Sequence, residues 1–177
     1  MTDTIKTLKS LRQTRSFDGS SIEPDHLQTI LEVARWTGSA RNIQPWQLIV
    51  VDDREQLKRL GHVREMNNWM ENAACAIAIA MPEGSTAITQ YDEGRLSERM
   101  MIAAKALGYG SATAWFTKDE EIAAAKLLLE MPEEAHLRSV VVIGKVDTNA
   151  EKRGSSTGGR KPLGEIVSYN TYGDRRD

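Results

Sequence analysis

The pattern of apolar and polar positions predicts a chain in which helices alternate with short buried strands. Apolar residues recur every three or four positions in three segments, which we interpret as amphipathic helices: Thr4–Leu11, Pro24–Ala34 and Asp92–Leu107. Continuous aliphatic runs predict buried strands: Gln47–Val51, Cys75–Met81, Gly110–Phe116 and Leu137–Val146. The third run could also be an extended loop. Strands that alternate with helices indicate an α/β-type layered fold with a central sheet.

Shorter, more polar helices are expected in the connections, and local signals indicate where some of them begin or end. Their expected positions are Arg54–Leu60, Glu65–Asn72, a segment from Lys118, and Leu163–Val167. Gly61 is expected to end the first of them, because glycine commonly follows the last turn of a helix. Thr117 and Glu120 fit a capping box at the start of the third.

A polar segment between two tryptophans, Trp36–Trp46, interrupts this pattern. It reads WTGSARNIQPW, so Gly, Ser, Asn and Gln lie between a helix and an apolar run, where a core segment would otherwise begin. Polar loops that are positioned by rigid elements often carry binding residues. We therefore interpret this segment as a ligand-binding loop.

Arg12 and Arg15 follow the first predicted helix and are three residues apart. At that spacing both guanidinium groups can point to one side and bind an anion together. Alternatively, they are two exposed arginines in a turn. The residues alone leave both interpretations open.

Length and composition favour one globular domain with a sizeable core. A chain of 177 residues with 40% hydrophobic and 27% charged residues is ordinary for such a domain. The net charge of −2 gives no general attraction to nucleic acid or to anionic membranes. Basic residues are concentrated after residue 151, where they could form a local anion site or only a solvated terminus.

The single cysteine, Cys75, lies in an aliphatic run and cannot form a disulfide within one chain. We interpret it as a small core residue of a cytosolic protein. No segment of the sequence reaches the roughly 20 apolar residues that a membrane-spanning helix needs. The expected location is therefore cytoplasmic.

The sequence contains no familiar signature of side-chain or metal catalysis. The glycines of Gly108–Ser111 do not fit a dinucleotide-binding fingerprint, because they follow a helix and Thr113 stands where a third glycine is needed. His26, His62 and His136 lack metal-ligand spacing and are expected at the surface. A chain without a nucleophile, an acid–base pair or a metal site favours chemistry supplied by a bound cofactor.

Six segments, in order along nearly the whole chain, resemble the FMN-dependent nitroreductase family. They are Arg12-x-x-Arg15-x-Phe17, Ala34–Trp36, Ser39–Trp46, Asp92-x-Gly94, Leu107–Ser111 and Arg160–Leu163. The most specific is Ser39–Trp46, which reads SARNIQPW, whereas the arginines and Arg160–Leu163 would each be weak alone.

The resemblance implies an α+β, three-layer fold with a central, mostly antiparallel sheet flanked by helices. It also implies an intertwined homodimer with two flavin sites at the subunit interface. In this interpretation residues 1–177 form one FMN-binding domain, and the tail of residues 147–177 docks on the partner subunit.

The resemblance also implies which residues contact FMN. The phosphate and the ribityl chain would be bound by Arg12, Gln13 and Arg15, together with Arg160 and Lys161. The loop that reaches the flavin of the partner subunit would contribute Ser39, Ala40, Asn42 and Gln44. The turn whose backbone N–H faces flavin N5 would comprise Thr113, Ala114 and Trp115.

Two residues of the tryptophan-flanked loop depart from the family pattern. Gly38 stands where a proline is common, and Arg41 stands where a small residue often precedes the asparagine. A cation at position 41 could face the mouth of the site. We therefore predict that Arg41 binds an acidic substrate or the phosphates of NAD(P)H.

The function implied by the resemblance is FMN-dependent, ping-pong hydride transfer from NAD(P)H through flavin N5 to an electron-poor acceptor, such as a nitroaromatic or a quinone. No side chain need act as acid or base in this scheme. Two alternatives remain open: a non-catalytic dimer that binds or sequesters flavin, and a flavin enzyme of different chemistry, such as flavin fragmentation or reductive dehalogenation. Neither a metal, nor nucleic acid, nor a membrane is expected as a partner.

Overall fold

The computed structural model describes residues 2–84, 87–150 and 159–175. Four strands form its sheet: β1 (Gln47–Val51), β2 (Cys75–Met81), β3 (Gly110–Trp115) and β4 (His136–Gly144). Their order across the sheet is β1-β2-β4-β3, and every neighbouring pair is antiparallel. The sheet therefore confirms the α+β, antiparallel arrangement. The α/β-type alternation along the chain does not lead to parallel pairing.

Six α-helices surround the sheet in the described part of the chain. They are α1 (Asp3–Ser10), α2 (Pro24–Arg35), α3 (Arg54–His62), α4 (Ala87–Ala106), α5 (Asp119–Leu128) and α6 (Leu163–Ile166). Two 3₁₀ helices, Ala40–Asn42 and Glu65–Asn72, lie in the connections. None of the described helices is long and apolar enough to cross a membrane.

The alternation of side chains along β2 and β4 separates two apolar cores. On one face, Ala78 and Val140 pack with Leu57 of α3 and Ala125 of α5. On the other face, Ile77, Ile79, Val141 and Ile143 pack with residues of α2 and α4. Successive side chains of a strand point to opposite faces, so two continuous aliphatic strands supply both cores. The three layers predicted for the fold follow from this arrangement.

Three details of the predicted helices are wrong. Gly61 does not end α3, which continues to His62; a side chain at Gly61 would approach the carbonyl oxygen of Asn67 at 3.1 Å. The carboxylate at the start of α5 is Glu121, not Glu120. Helix α4 begins at Ala87, five residues before the predicted start, because its first turns expose their large side chains and leave no periodic apolar signal.

Cys75 and one of the three histidines lie where the sequence analysis expects them. Cys75 is fully buried, as predicted, and burial raises the pKa of its thiol to about 12. His62 is exposed, as predicted. The surface prediction is wrong for His26 and His136, which are half-buried; His26 Nδ1 lies 3.0 Å from the hydroxyl of Tyr109.

Candidate active site

The segment after α1 runs beside β3 and brings Gln13 to the predicted flavin-facing turn. Gln13 pairs with Ser111 in a parallel bridge, and the Gln13 side-chain Oε1 accepts a hydrogen bond of 2.8 Å from the backbone N–H of Thr113. Gly110 permits this approach, because a Cβ there would lie 2.9 Å from Cγ2 of Thr14. Two predicted flavin-binding segments that are 100 residues apart in the sequence are thus joined by a direct contact.

The structure places Thr113, Ala114 and Trp115 at the end of strand β3 and not in a turn, because they continue the pairing with β4. Side chains of the segment after α3 fix this end of the strand. The carbonyl oxygen of Trp115 accepts hydrogen bonds from Arg64 Nη1 at 2.9 Å and from the side-chain amide of Asn67 at 3.0 Å. Ala114 is buried, whereas the Trp115 side chain is 45% exposed. Two donors on one carbonyl hold the backbone at the end of β3 in a single orientation.

The two N-terminal arginines are both exposed, but they make separate contacts. Arg12 Nη1 donates to the carbonyl oxygens of Lys9 and Leu11 at the end of α1. The guanidinium carbon of Arg15 lies 5.7 Å from the ring centroid of Trp69, within the range of a cation–π interaction. Among the described residues, no contact joins these arginines to each other.

The C-terminal cations Arg160 and Lys161 are exposed directly before α6. The structure does not join them to Arg12 or Arg15 within the described ranges. Their predicted role at the phosphate stays a prediction.

The predicted loop is bonded to itself and has an unusual backbone. Ser39 Oγ accepts a hydrogen bond of 2.8 Å from the backbone N–H of Gln44, and the Gln44 side chain donates to the carbonyl of Asn42. Arg41, Asn42 and Gln44 have positive φ angles of 52°, 56° and 51°. Such angles are uncommon for residues other than glycine and recur at functional sites.

Asp92, at the inner side of α4, anchors this loop. It is 3% exposed; its Oδ2 accepts a hydrogen bond of 3.0 Å from the backbone N–H of Ala40, and its Oδ1 lies 3.3 Å from Arg95 Nη1. The Arg95 side chain covers Gly38, where a Cβ would lie 2.9 Å from Arg95 Nη2. Because Nη2 is the end of a flexible, partly exposed side chain, a larger residue at position 38 would displace the Arg95 guanidinium group.

The loop presents large side chains to solvent. Trp36 is 69% exposed and Ile43 is 65% exposed, and Arg41 is exposed as well. The Trp36 indole donates to Glu32 Oε1, while Arg35 lies over its ring. Trp46, by contrast, packs against the core between α2, α4 and the sheet.

A cavity of about 200 Å³ lies between α4, β3 and β4. Its lining includes Gln13, Glu93, Ser97, Met101, Thr113 and Ser139. Glu93 is 4% exposed, and its Oε1 accepts a hydrogen bond of 2.9 Å from the hydroxyl of Ser139. Burial raises the pKa of this carboxyl group above its usual value, despite opposing contributions from Ser139 and two basic side chains.

The sequence analysis missed Glu93, because it looked for catalytic motifs and not for charged residues in apolar positions. Glu93, Ser97, Met100 and Ala104 lie on one stripe of α4, at intervals of three or four residues. All four are buried. The sequence signal that could have identified Glu93 is a glutamate at a position of the helix where the spacing predicts a buried residue.

Three buried side-chain oxygens have no hydrogen-bond partner within the described residues: Thr37 Oγ1, Asn68 Oδ1 and Ser111 Oγ. Each is in or next to a predicted binding element. Thr37 is the second residue of the tryptophan-flanked loop, Asn68 precedes the tryptophan under Arg15, and Ser111 pairs with Gln13. Unpaired buried oxygens cost about 1–3 kcal/mol each, which a ligand with hydrogen-bond donors would recover. Asn68 was also missed by the sequence analysis.

Comparison with known proteins decides the family. A family model described as "Nitroreductase family" matches residues 8–68. A relative from Archaeoglobus fulgidus, named "Putative NADH dehydrogenase/NAD(P)H nitroreductase", is 30% identical over 154 residues, which are 81% of this chain and 86% of the relative. The chain belongs to the nitroreductase family.

Solved structures share the nitroreductase fold. An FMN-dependent nitroreductase from Clostridium difficile superimposes with a TM-score of 0.82 at 24% identity, covering 95% of this chain and 99% of the other. An NADPH:FMN oxidoreductase from Vibrio harveyi, in complex with NAD⁺, superimposes with a TM-score of 0.83 at 22% identity. That match covers 99% of this chain and 80% of the other. At these identities the likeness establishes the fold.

Proposed function

We propose that this nitroreductase-family chain is an FMN-dependent oxidoreductase that transfers hydride from NAD(P)H to an electron-poor acceptor by a ping-pong mechanism. The observation that carries the proposal is the contact between Gln13 and the backbone N–H of Thr113 at one cavity. When FMN is bound, its N5 would supply the hydride chemistry. The protein then has to bind the cofactor, orient it and exclude water.

The phosphate of FMN fits the exposed basic residues. Arg15 is exposed, and Arg12 retains free donors because its described hydrogen bonds use Nη1 alone among the guanidinium nitrogens. Charge-assisted hydrogen bonds of this kind contribute about 1.5–3 kcal/mol each. Arg160 and Lys161 would add to the same site if the tail closes over it.

The unpaired buried oxygens fit the flavin's donors. The ribityl hydroxyls and the N–H of the flavin ring are donors for such oxygens, but Asn68 and Ser111 do not line the cavity, so FMN would reach Asn68 Oδ1 and Ser111 Oγ only after neighbouring side chains move. The end of β3, with Thr113, Ala114 and Trp115, would lie beside the ring, although the Thr113 N–H is already bonded to Gln13. Side chains and backbone groups of this chain could therefore bind FMN without a phosphate-binding glycine loop.

A second copy of the chain would complete the site. The cavity of about 200 Å³ is smaller than the roughly 300–1,000 Å³ of ordinary ligand pockets. Asp92 holds the loop on one side of α4, and Glu93 faces the cavity on another. Consecutive helical residues point about 100° apart, so one chain presents two separate halves. In a homodimer, Ser39, Ala40, Asn42 and Gln44 of one subunit would cover the cavity of the other.

The exposed apolar surface supports the homodimer with a docked tail. Trp36, Ile43 and Tyr91 are each more than 60% exposed, as are Leu163 and Ile166 of the tail helix. We propose that residues 147–177 lie across the partner and that Arg41 meets the acceptor or the nicotinamide phosphates at the mouth. The cytoplasmic location stays a prediction.

The test is to purify the protein, record its visible spectrum and titrate it with FMN. Flavin absorbance bands, a dimer in analytical ultracentrifugation and parallel double-reciprocal plots for NAD(P)H and a quinone are expected. A preparation that stays colourless after incubation with FMN would refute the proposal. A yellow protein that does not oxidise NAD(P)H faster than free FMN would instead identify a flavin-binding dimer.

A further inference from the structure

Glu93 is a buried carboxyl group to which the proposed function has given no role. It lines the cavity together with Gln13 and Thr113, which belong to the proposed flavin site. Ser139 donates to Oε1 at 2.9 Å, and Oε2 has no hydrogen-bond partner among the described residues. One oxygen is therefore fixed in position, and the other is available to a molecule in the cavity.

The surroundings of Glu93 raise its pKa above the usual value, and burial is the largest cause. The charged or titratable groups that face it are Glu98 of its own helix, and Arg138 and His136 of β4. Arg138 and His136 lower its pKa, but burial raises it more. The elements with Gln13, Thr113 and Trp115 contribute no charge to the lining of the cavity. A neutral carboxyl group can donate a hydrogen bond and release a proton, whereas a carboxylate can only accept.

The geometry points to Glu93 as the residue that gives a proton to the acceptor in this cavity, with Ser139 as its positioning residue. The inference rests on the proposed function, which supplies the electrons. It departs from the expectation that no side chain acts as an acid.

The step balances for a quinone acceptor. Reduction to the hydroquinone takes up two electrons and two protons, and the hydride that originates from NAD(P)H supplies both electrons and one proton. The second proton passes from Glu93 Oε2 to a quinone oxygen: the O–H bond of the carboxyl group breaks as the O–H bond of the hydroquinone forms. Solvent water then returns a proton to the carboxylate.

The first measurement concerns the proton itself and needs no flavin. Infrared spectra of the flavin-free protein, recorded as a pH titration, should contain the C=O band of a protonated carboxyl group above the pH at which exposed glutamates ionise. That band should be missing in Glu93→Gln, which keeps the size and the hydrogen-bonding capacity of the side chain. If wild type and variant give the same spectra, Glu93 is ionised and the inference fails.

The second measurement separates proton transfer from electron transfer. The FMN-loaded protein is reduced with NAD(P)H and then reoxidised in a stopped-flow instrument, either by benzoquinone or by ferricyanide, which accepts one electron without a proton. Glu93→Gln should slow reoxidation by benzoquinone about 100-fold, within the range for a lost general acid. Reoxidation by ferricyanide should not change, and the wild-type benzoquinone rate alone should fall at high pH.

Two further variants serve as controls. Glu98→Gln removes a negative charge from an exposed side chain of the same cavity lining, so it should change the two rates in parallel. Ser139→Ala should lower the benzoquinone rate less than Glu93→Gln and should shift the pH at which it falls. Equal slowing of both acceptors by Glu93→Gln, or slowing of neither, would overturn the inference.

These outcomes also distinguish the inference from the proposed function. A wild-type protein that binds no flavin, or is not reduced by NAD(P)H, refutes the proposed function and the proton transfer that depends on it. A protein that turns over normally but keeps its benzoquinone rate in Glu93→Gln refutes the proton transfer alone.

Discussion

At the scale of single residues, Arg15 offers the most direct test of phosphate binding. Its guanidinium group is exposed and lies above the ring of Trp69. The residue before Trp69 is Asn68, whose side-chain oxygen has no hydrogen-bond partner within the described residues. Arg15→Ala should weaken FMN binding by about 2 kcal/mol, or about thirtyfold, because it removes one charge-assisted contact with the phosphate. Fluorescence titration of the flavin-free protein with FMN measures this change.

Arg59→Ala is the matched control for Arg15→Ala. Arg59 is an exposed arginine near the end of α3, so its loss changes the net charge equally without touching the proposed site. Urea unfolding of both variants measures their free energies of unfolding and so shows whether loss of the contact between Arg15 and Trp69 destabilises the fold. Equal FMN affinities in the two folded variants would contradict the phosphate assignment.

The sequence predicted the burial of single residues correctly where their neighbours in the chain are apolar. It missed polar residues whose burial depends on packing between distant elements. Cys75 lies in an aliphatic run and is buried, so its place in the core followed from its neighbours. Glu93 and Asn68 carry polar atoms into buried positions, which a search for apolar periodicity does not detect. Position 61 is a glycine within α3 because Met70 and the Asn67 carbonyl lie close to it and leave little room for a Cβ. This contact between two elements is not part of the local rule that places glycine after a helix.

At the scale of elements, the start of α5 depends on one carboxylate. Glu121 Oε2 accepts hydrogen bonds from the backbone N–H groups of Thr117 at 2.9 Å and Lys118 at 3.2 Å. These hydrogen bonds, first among them the one from Thr117, hold the pKa of Glu121 below its usual value. Glu121→Gln should therefore lower Tm at pH 7 by about 2–4 °C.

The pH dependence of this effect has a definite sign. A carboxyl group whose pKa is lowered in the fold contributes stability above its unfolded pKa of about 4.5 and loses it as the pH falls through the folded value. The Tm difference between wild type and Glu121→Gln should thus shrink below pH 4.5. Glu120→Gln, a change in the neighbouring exposed residue, should leave Tm nearly unchanged. A larger decrease in Tm for Glu120→Gln than for Glu121→Gln would instead support the predicted capping box of Thr117 and Glu120.

The contact between α4 and the loop gives a second prediction for elements. Asp92→Ala removes the acceptor for the partly buried Ala40 N–H, at a cost of about 1–3 kcal/mol. The positive φ angles of Arg41, Asn42 and Gln44 would then lose their support. Hydrogen exchange of residues 39–44 should accelerate, while exchange in β2 and β4 stays slow. Arg95→Ala keeps the bond to Ala40, so the same acceleration in that variant would contradict the role of Asp92.

Strand boundaries followed from the sequence more closely than helix boundaries. The strands β1 and β2 begin and end as predicted, and a charged residue, Asp52, or a proline, Pro82, directly follows each aliphatic run. The first turns of α4 expose Ile88 and Tyr91, so no apolar stripe marks its true start. A periodic pattern of apolar residues indicates the buried face of a helix, so it does not detect a helical turn whose side chains are exposed.

At the scale of the whole molecule, antiparallel pairing and the proposed two-part site both depend on contacts between segments that are distant in the sequence. Periodicity identified the four strands but not their order or direction, which depend on contacts between distant segments. The family resemblance supplied the antiparallel sheet, and the structure confirms it. The contact between Gln13 and Thr113 likewise joins segments with no shared local pattern.

The C-terminal tail provides the test of the proposed dimer. Leu163 and Ile166 are 73% and 62% exposed in the single chain, and Arg175 closes the tail on itself by donating to the carbonyls of Gly164 and Val167. If these apolar side chains dock on a partner, burying both would contribute on the order of 3 kcal/mol per tail.

Deleting residues 158–177 should therefore raise the dimer dissociation constant at least tenfold and lower the FMN content, because Arg160 and Lys161 are lost as well. Analytical ultracentrifugation and flavin absorbance per chain measure the two effects. The full-length double variant Leu163→Ser and Ile166→Ser separates them: it should weaken the dimer while keeping both cations. A truncated protein that stays a fully flavinated dimer would show that the tail contributes neither to the interface nor to the phosphate site.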